Sequence, residues 1–319
     1  MNKNVRQIVL PLIVAIIWGS AFIVQGSVAS RMGAFTFNGV RALIASIVLG
    51  LTALFIDGQK AKKGIEYKSA NRKKLFVGGI CCGIVLFIAS NVQQYGMFGT
   101  TEAGGSVLTE GDSAFITALY IILVPLCLIF TRKKPTFNVW LAVALAVFGL
   151  FFICNFTGGS AFTIYHVELF LCAVAFTGHI LIIDYFTRDQ DGIKLSCLQF
   201  LTMGVLSTIC AFIFDDISFA VIGECIWQLL YVGIFSCAIA YTLQIVAQKG
   251  TNPTIVSILL SLESVFALAC EFVIGLITGN VKPHTPLQLV GCGLMVLAII
   301  CAQFDFIAAI RNKKAEKSQ

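Results

Sequence analysis

The sequence predicts an all-α integral membrane protein: ten transmembrane helices, arranged as two inverted five-helix repeats with both termini in the cytoplasm. Three observations carry this reading. Only 12% of the 319 residues are charged and 58% are hydrophobic, with a mean hydropathy of +0.92; a soluble domain is about a quarter charged. Apolar stretches long enough for spans alternate with short polar ones along the whole chain. Finally, one stretch of the first half reappears in the second.

The spans run roughly over 8–28, 35–56, 75–96, 103–130, 137–155, 165–186, 195–214, 223–246, 254–277 and 287–308. The first follows Lys3 and Arg6 like a secretory leader, but its apolar run is longer than a leader core and is read as a retained helix. With the N-terminus inside, the alternate polar segments collect all but Arg31, Arg41 and Lys282 of the 22 basic residues. That bias orients the chain and accounts for its net charge of +6. "QKAKKGIEYKSANRKK" (Gln59–Lys74) is therefore a cytoplasmic loop near lipid headgroups, and no nucleic-acid partner is expected. The twelve cysteines all lie in apolar stretches without a CxxC pair, so they read as small hydrophobes. No metal or cofactor is expected.

"QQYGMFGTTEA" (Gln93–Ala103) overlays "QIVAQKGTNPT" (Gln244–Thr254), pairing Gln93 with Gln244 and Gly99 with Gly250. The match sets the halves five helices apart. Five is odd, so residues 1–155 and 156–319 should cross the membrane in opposite senses, as in secondary transporters with a midplane site. "ITALY" (Ile116–Tyr120) then overlays "LSLES" (Leu260–Ser264), which leaves extra residues in the first half around "EAGGSVLTEGDS" (Glu102–Ser113). These either lengthen helix 4 or form an external loop, with an external gate as the sharper alternative.

Taken together, "WGSAF" (Trp18–Phe22), "FTFNGVRALIAS" (Phe35–Ser46), "NVQQYGMFGTT" (Asn91–Thr101), "AFITALYIILVPL" (Ala114–Leu126), "GHILIIDYFTR" (Gly178–Arg188) and "AYTLQIVAQKGTNPT…SLES" (Ala240–Ser264) resemble the drug/metabolite transporter superfamily. The resemblance is to its EamA-like ten-helix members and covers essentially the whole chain. It implies an exporter or exchanger of small metabolites, amino acids or drugs in the bacterial inner membrane. The chain departs from the family pattern at Ser264, where proline is usual, and in the extra residues before Ala114.

Ionisable groups inside spans are functional candidates by default. Glu263 lies about nine residues, roughly 14 Å, into helix 9, near the centre of a hydrocarbon core about 30 Å thick. It is a candidate proton carrier or a site for a cationic group, the alternative being a carboxyl satisfied by a neighbouring hydroxyl or amide. Glu271, eight residues on, is turned about 80° away and reads as packing or vestibule. His179 in helix 6 could form a relay with Glu263 or be a satisfied core histidine. Arg41 in helix 2 reads as an anchor or as a binder of substrate carboxylate. Trp18 falls near the midplane beside Gly19 and Ser20, small enough for close helix approach. Asn91, Gln93, Gln94 and Gln244 offer amides for interhelix bonds or a polar substrate, and Tyr120 joins the candidate pathway at the helix 4 position that overlays "SLES".

The expected partners are a small-molecule substrate and the bilayer, with a homodimer compatible. An intramembrane lipid-modifying enzyme is the alternative class. It would need a constellation such as HExxH or GxSxG, and the sequence has neither; nor does it have a nucleotide-binding loop. A receptor or assembly subunit is the third class, less favoured because the external polar segments are all short.

Overall fold

The computed structural model describes residues 5–63, 71–101, 108, 110–130, 135–153, 163–187, 190–249, 251–279 and 285–303. The described residues are helical, with no strand among them. Seven helices are long and apolar enough to cross a membrane, and three shorter apolar ones lie at Ser113–Ile129, Phe137–Ile153 and Pro286–Ala302.

Helix α1 (Leu10–Ala29) continues a π-helical turn, Val5–Val9, and α2 (Ala34–Lys62) follows after a short link. Next come α3 (Arg72–Phe98), α4a (Glu110–Thr117), α4b (Tyr120–Ile129) and α5 (Phe137–Ile153). The second half has α6 (Ile164–Phe186), α7 (Gly192–Phe214) and α8, which spans Ile226–Gln248. It ends with α9a (Pro253–Leu260), α9b (Glu263–Thr278) and α10 (Pro286–Gln303). A short helix, Phe219–Glu224, leads into α8.

The ends follow local chemistry. Asn71, Asp191 and Asn252 accept backbone N–H groups at the starts of α3, α7 and α9a, as N-caps do. Lys60 and Lys62 extend α2 several residues beyond the expected end, into the basic stretch, where positive charge suits a helix C-terminus.

Two features carried no signal in the sequence. The middle of α8, Val232–Tyr241, is π-helical, a departure from α geometry that recurs at functional sites. The fourth and ninth apolar stretches are also each broken by two residues, at Ala118–Leu119 and at Ser261–Leu262. At both breaks the backbone tightens to i→i+3 bonds, such as Leu119 to Ile116 and Leu262 to Leu259. Around the second break Ser257 and Ser261 bond back to the carbonyls of Thr254 and Ile258, both at 2.8 Å, which bends helices. The break thus forms with Ser264 where proline was the family expectation. The breaks pair Tyr120 with Glu263, one residue off the "ITALY"–"LSLES" overlay.

Among neighbours, α2 packs on α7 and α5 on α10, while α3 lies against both α6 and α7. Helix α1 packs on α9b, and α6 on both parts of α4. The α5–α10 crossing rests on Gly149 and Gly291. A Cβ on either would stand within 2.9 Å of the other's carbonyl oxygen. Around the outside, Leu51, Leu54 and Phe55 of α2, Phe212 and Ile213 of α7, and Leu276 and Ile277 of α9b are exposed. An apolar belt of this extent is a membrane-facing surface.

Residues 102–107, which hold Glu102, Gly104 and Gly105, lie outside the described residues. So do Gly250, Lys68, Arg132, Lys133, Lys134, Arg188, Lys282, His284 and the tail after Gln303.

Candidate substrate cavity

A cavity of about 40 Å³ lies where α1, α2, α3, α4, α6, α8 and α9 converge. Helix α1 presents Trp18, Phe22 and Gln25 to it, a spacing of four and then three residues that sets them on one helix face. From α2 comes Arg41, from α3 Gln93, and from either side of the α4 break Thr117 and Tyr120. Helix α8 adds Ser236 and Tyr241 from its π-helical stretch, then Gln244. Glu263 closes the ring from the start of α9b.

Tyr120 donates a hydrogen bond to Oε1 of Glu263 at 3.0 Å. Both are the first residues of a resumed helix, so the two breaks meet through this bond. Glu263 is also fixed from behind: the missing side chain of Gly19 lets α1 touch its backbone. A Cβ at Gly19 would stand 2.6 Å from the Glu263 carbonyl oxygen and 2.7 Å from the Ala267 nitrogen. The small residue beside Trp18 is therefore the point of contact between α1 and α9b.

Arg41 is buried and donates from Nη1 to Oε1 of Gln25 at 3.0 Å, with its guanidinium 4.9 Å from the Phe37 ring centre. Its Nε has no partner among the described residues. No ion pair joins Arg41 to Glu263. The cavity thus has an unpaired cation and carboxyl on its wall, together with uncharged amides and aromatic residues. Trp18 lies against Tyr241, ring centres 4.7 Å apart, and donates its indole N–H to the Ser236 carbonyl at 3.2 Å.

Six of the ten candidates from the sequence, Glu263, Trp18, Arg41, Gln93, Tyr120 and Gln244, line this one cavity. The other four lie elsewhere. Ser20 bonds to the Tyr231 hydroxyl at 2.6 Å, joining α1 to α8. Asn91 donates to Ser207 at 3.0 Å and accepts from Asn38 at 3.0 Å, which ties α2, α3 and α7 together. His179 is fully buried, its Nε2 3.2 Å from Gln199 Oε1 and its ring edge-on to Tyr241. Gln94 turns to a separate cavity at one end of the bundle. Glu271 is half-buried and outside the lining.

Sequence reasoning missed Gln25, Thr117, Ser236 and Tyr241. Gln25 had a signal, as an amide two turns from Trp18 in an apolar helix. The others read as ordinary packing residues.

A helical, membrane-embedded fold with broken helices meeting at a buried, charged cavity defines a multi-pass membrane transporter. The chain belongs to the EamA-like transporter family, which matches it twice, over residues 6–155 and 164–304. It is similar to an uncharacterized transporter of Archaeoglobus fulgidus, 27% identical over 294 residues, covering 90% of this chain and 82% of the relative. A solved crystal structure shares the fold with a TM-score of 0.69 at 16% identity, over 95% of this chain and 97% of the other.

Proposed function

We propose that the chain is a secondary transporter, an exporter or exchanger of small metabolites, amino acids or drugs across the inner cell membrane. It works by alternating access between two inverted five-helix halves. The carrying observation is the Tyr120–Glu263 hydrogen bond, which joins the breaks of α4 and α9 at the wall of the cavity. Broken helices at a repeat interface are where such transporters bind substrate. The twofold family match supports the repeat, as does the reciprocal packing of α1 on α9b and α6 on α4.

At about 40 Å³ the cavity has room for water but not for a metabolite; small-molecule sites run to about 300–1,000 Å³. Entry of a metabolite-sized substrate would therefore require the halves to part. Arg41 and Glu263, held apart, suit a small solute that bears both an acidic and a basic group, with Trp18 and Tyr241 beside its apolar part. Glu263 supplies the proton site if transport is proton-coupled. Transport, rather than lipid modification, is the activity in this reading.

The test is a flux screen in proteoliposomes over amino acids, nucleosides and cationic drugs, with and without a pH gradient. Saturable flux of a solute with both acidic and basic groups is expected. Chemical modification of the lipid with no flux of any solute would overturn the reading.

A further inference from the structure

We infer that the chain carries a second binding site, for small organic ammonium ions, in a vestibule at the end of the bundle that the basic-residue bias assigns to the outside. This open cavity has a volume of about 630 Å³ and is separate from the central one. It lies between the α1–α2 link, the C-terminal ends of α3 and α7 and the first turns of α6.

Three carboxylates face it, Glu168, Asp215 and Asp216. Asp215 is committed to the fold: its Oδ2 accepts the Thr36 backbone N–H at 2.6 Å and the Thr36 hydroxyl at 2.8 Å, capping α2. A Cβ at Gly33 would stand 2.3 Å from that carboxylate, so the glycine holds the approach open. Glu168 and Asp216 are not so committed. The one cation on the wall among the described residues, Arg31, pairs outward with Glu224. The vestibule is left with an excess of negative charge.

Acidity alone would fit any cation. Two further observations select an organic one. Gln94 is only 3% exposed and faces the vestibule with neither its carbonyl oxygen nor its amide nitrogen bonded, and the buried Oε2 of Glu168 is likewise without a partner. Buried polar atoms left this way cost free energy until something meets them. Four aromatic rings, Tyr95, Phe98, Tyr165 and Phe214, also stand on the wall. Tyr95 and Phe214 both pack on Phe35, at 5.6 and 5.8 Å, and Phe98 lies 6.4 Å from Tyr165. Ring faces attract ammonium groups, whereas they offer no ligand to a hard metal ion, which takes oxygen. An ammonium donor against Glu168, an amide contact from Gln94 and rings around the apolar substituents make one coherent site. Gln93 and Gln94, neighbours in sequence, face the central cavity and the vestibule respectively, so an occupant would sit on the outer approach to the transport site.

The site is tested by calorimetric titration of the full chain in nanodiscs of zwitterionic lipid with benzylammonium, whose N–H groups can donate. Saturable binding at one ion per chain is expected, weakened roughly tenfold or more by Glu168→Gln, as for loss of a bond to a charged group. Asp216→Asn, at an exposed position, should weaken it by a smaller factor, and Glu263→Gln should leave it unchanged. Absence of saturable binding would overturn the inference. So would loss in Glu263→Gln with retention in Glu168→Gln, which would move the ion to the central cavity, or tighter binding of Ca²⁺ in competition. None of these results depends on whether the chain transports.

Discussion

The Tyr120 hydroxyl donates to Glu263 at 3.0 Å, and each residue is the first after a two-residue break in its helix. The bond therefore couples the side chain of one half to the hinge of the other. Loss of a bond to a buried carboxyl costs about 1.5–3 kcal/mol, roughly tenfold or more in a rate or affinity. Tyr120→Phe should slow flux by about that factor. Glu263→Gln should abolish any dependence on the pH gradient, because an amide carries no exchangeable charge. The double variant should be no slower than Glu263→Gln alone. Additive losses in proteoliposome flux would show that the two side chains act separately.

Gly19 sets the distance between α1 and α9b. Gly19→Val would drive side-chain atoms into the Glu263 carbonyl and the Ala267 nitrogen, with no flexible neighbour to give way. Overpacking of this kind costs about 1–3 kcal/mol. Thermal unfolding in detergent should show a clear loss for Gly19→Val. Gly178→Ala is the matched control: its Cβ meets nothing closer than Val85 at 3.8 Å, and the helix should gain slightly, by up to about 1 kcal/mol.

Gln25 is the hydrogen-bond acceptor for Arg41. Gln25→Leu keeps the volume but leaves a buried guanidinium short of a partner. Transport should fall roughly tenfold, by the same value of about 1.5–3 kcal/mol for a bond to a charged group. If Arg41 receives a substrate carboxylate, the loss should appear in KM for carboxylate-bearing solutes and be small for neutral ones. Equal losses for both would assign Arg41 to the scaffold.

Asn91 spans α3, α7 and α2 through Ser207 and Asn38. Asn91→Leu would strand one amide N–H of Asn38, whose nitrogen also donates to the Ser90 carbonyl, and the hydroxyl of Ser207, at about 1–3 kcal/mol for each group left unsatisfied. A lower unfolding temperature with unchanged KM is expected. A changed KM with unaltered stability would move Asn91 into the substrate path.

That Glu263 lies buried at a cavity was legible because a carboxylate well inside an apolar stretch has to face protein or a cavity. Its partner Tyr120 was in reach because the halves overlay, although only to within one residue. The helix breaks were not legible: Ala118–Leu119 and Ser261–Leu262 contain neither glycine nor proline, and serine back-bonding acts without leaving a distinctive pattern. The π-helical stretch of α8 was hidden too, since "VGIFSCAIAY", with one glycine and one serine, reads as an ordinary span segment. Helix rotation was the other barrier. Among α3's amides, Asn91 clamps helices, Gln93 faces the central cavity and Gln94 faces the vestibule. Successive residues turn 100° apart, and nothing in an apolar span says which of them faces inward.

In alternating access, the cavity at the two breaks opens to each side of the membrane in turn. Thr117→Cys tests it most directly, since Thr117 lines the cavity at the end of α4a and cysteine nearly matches its size. In a chain otherwise free of cysteine, labelling by a membrane-impermeant thiol reagent is measured from each side, with and without saturating substrate. Reaction from both sides is expected, with substrate raising one rate and lowering the other. Labelling from a single side, at a rate that substrate leaves unchanged, would contradict it.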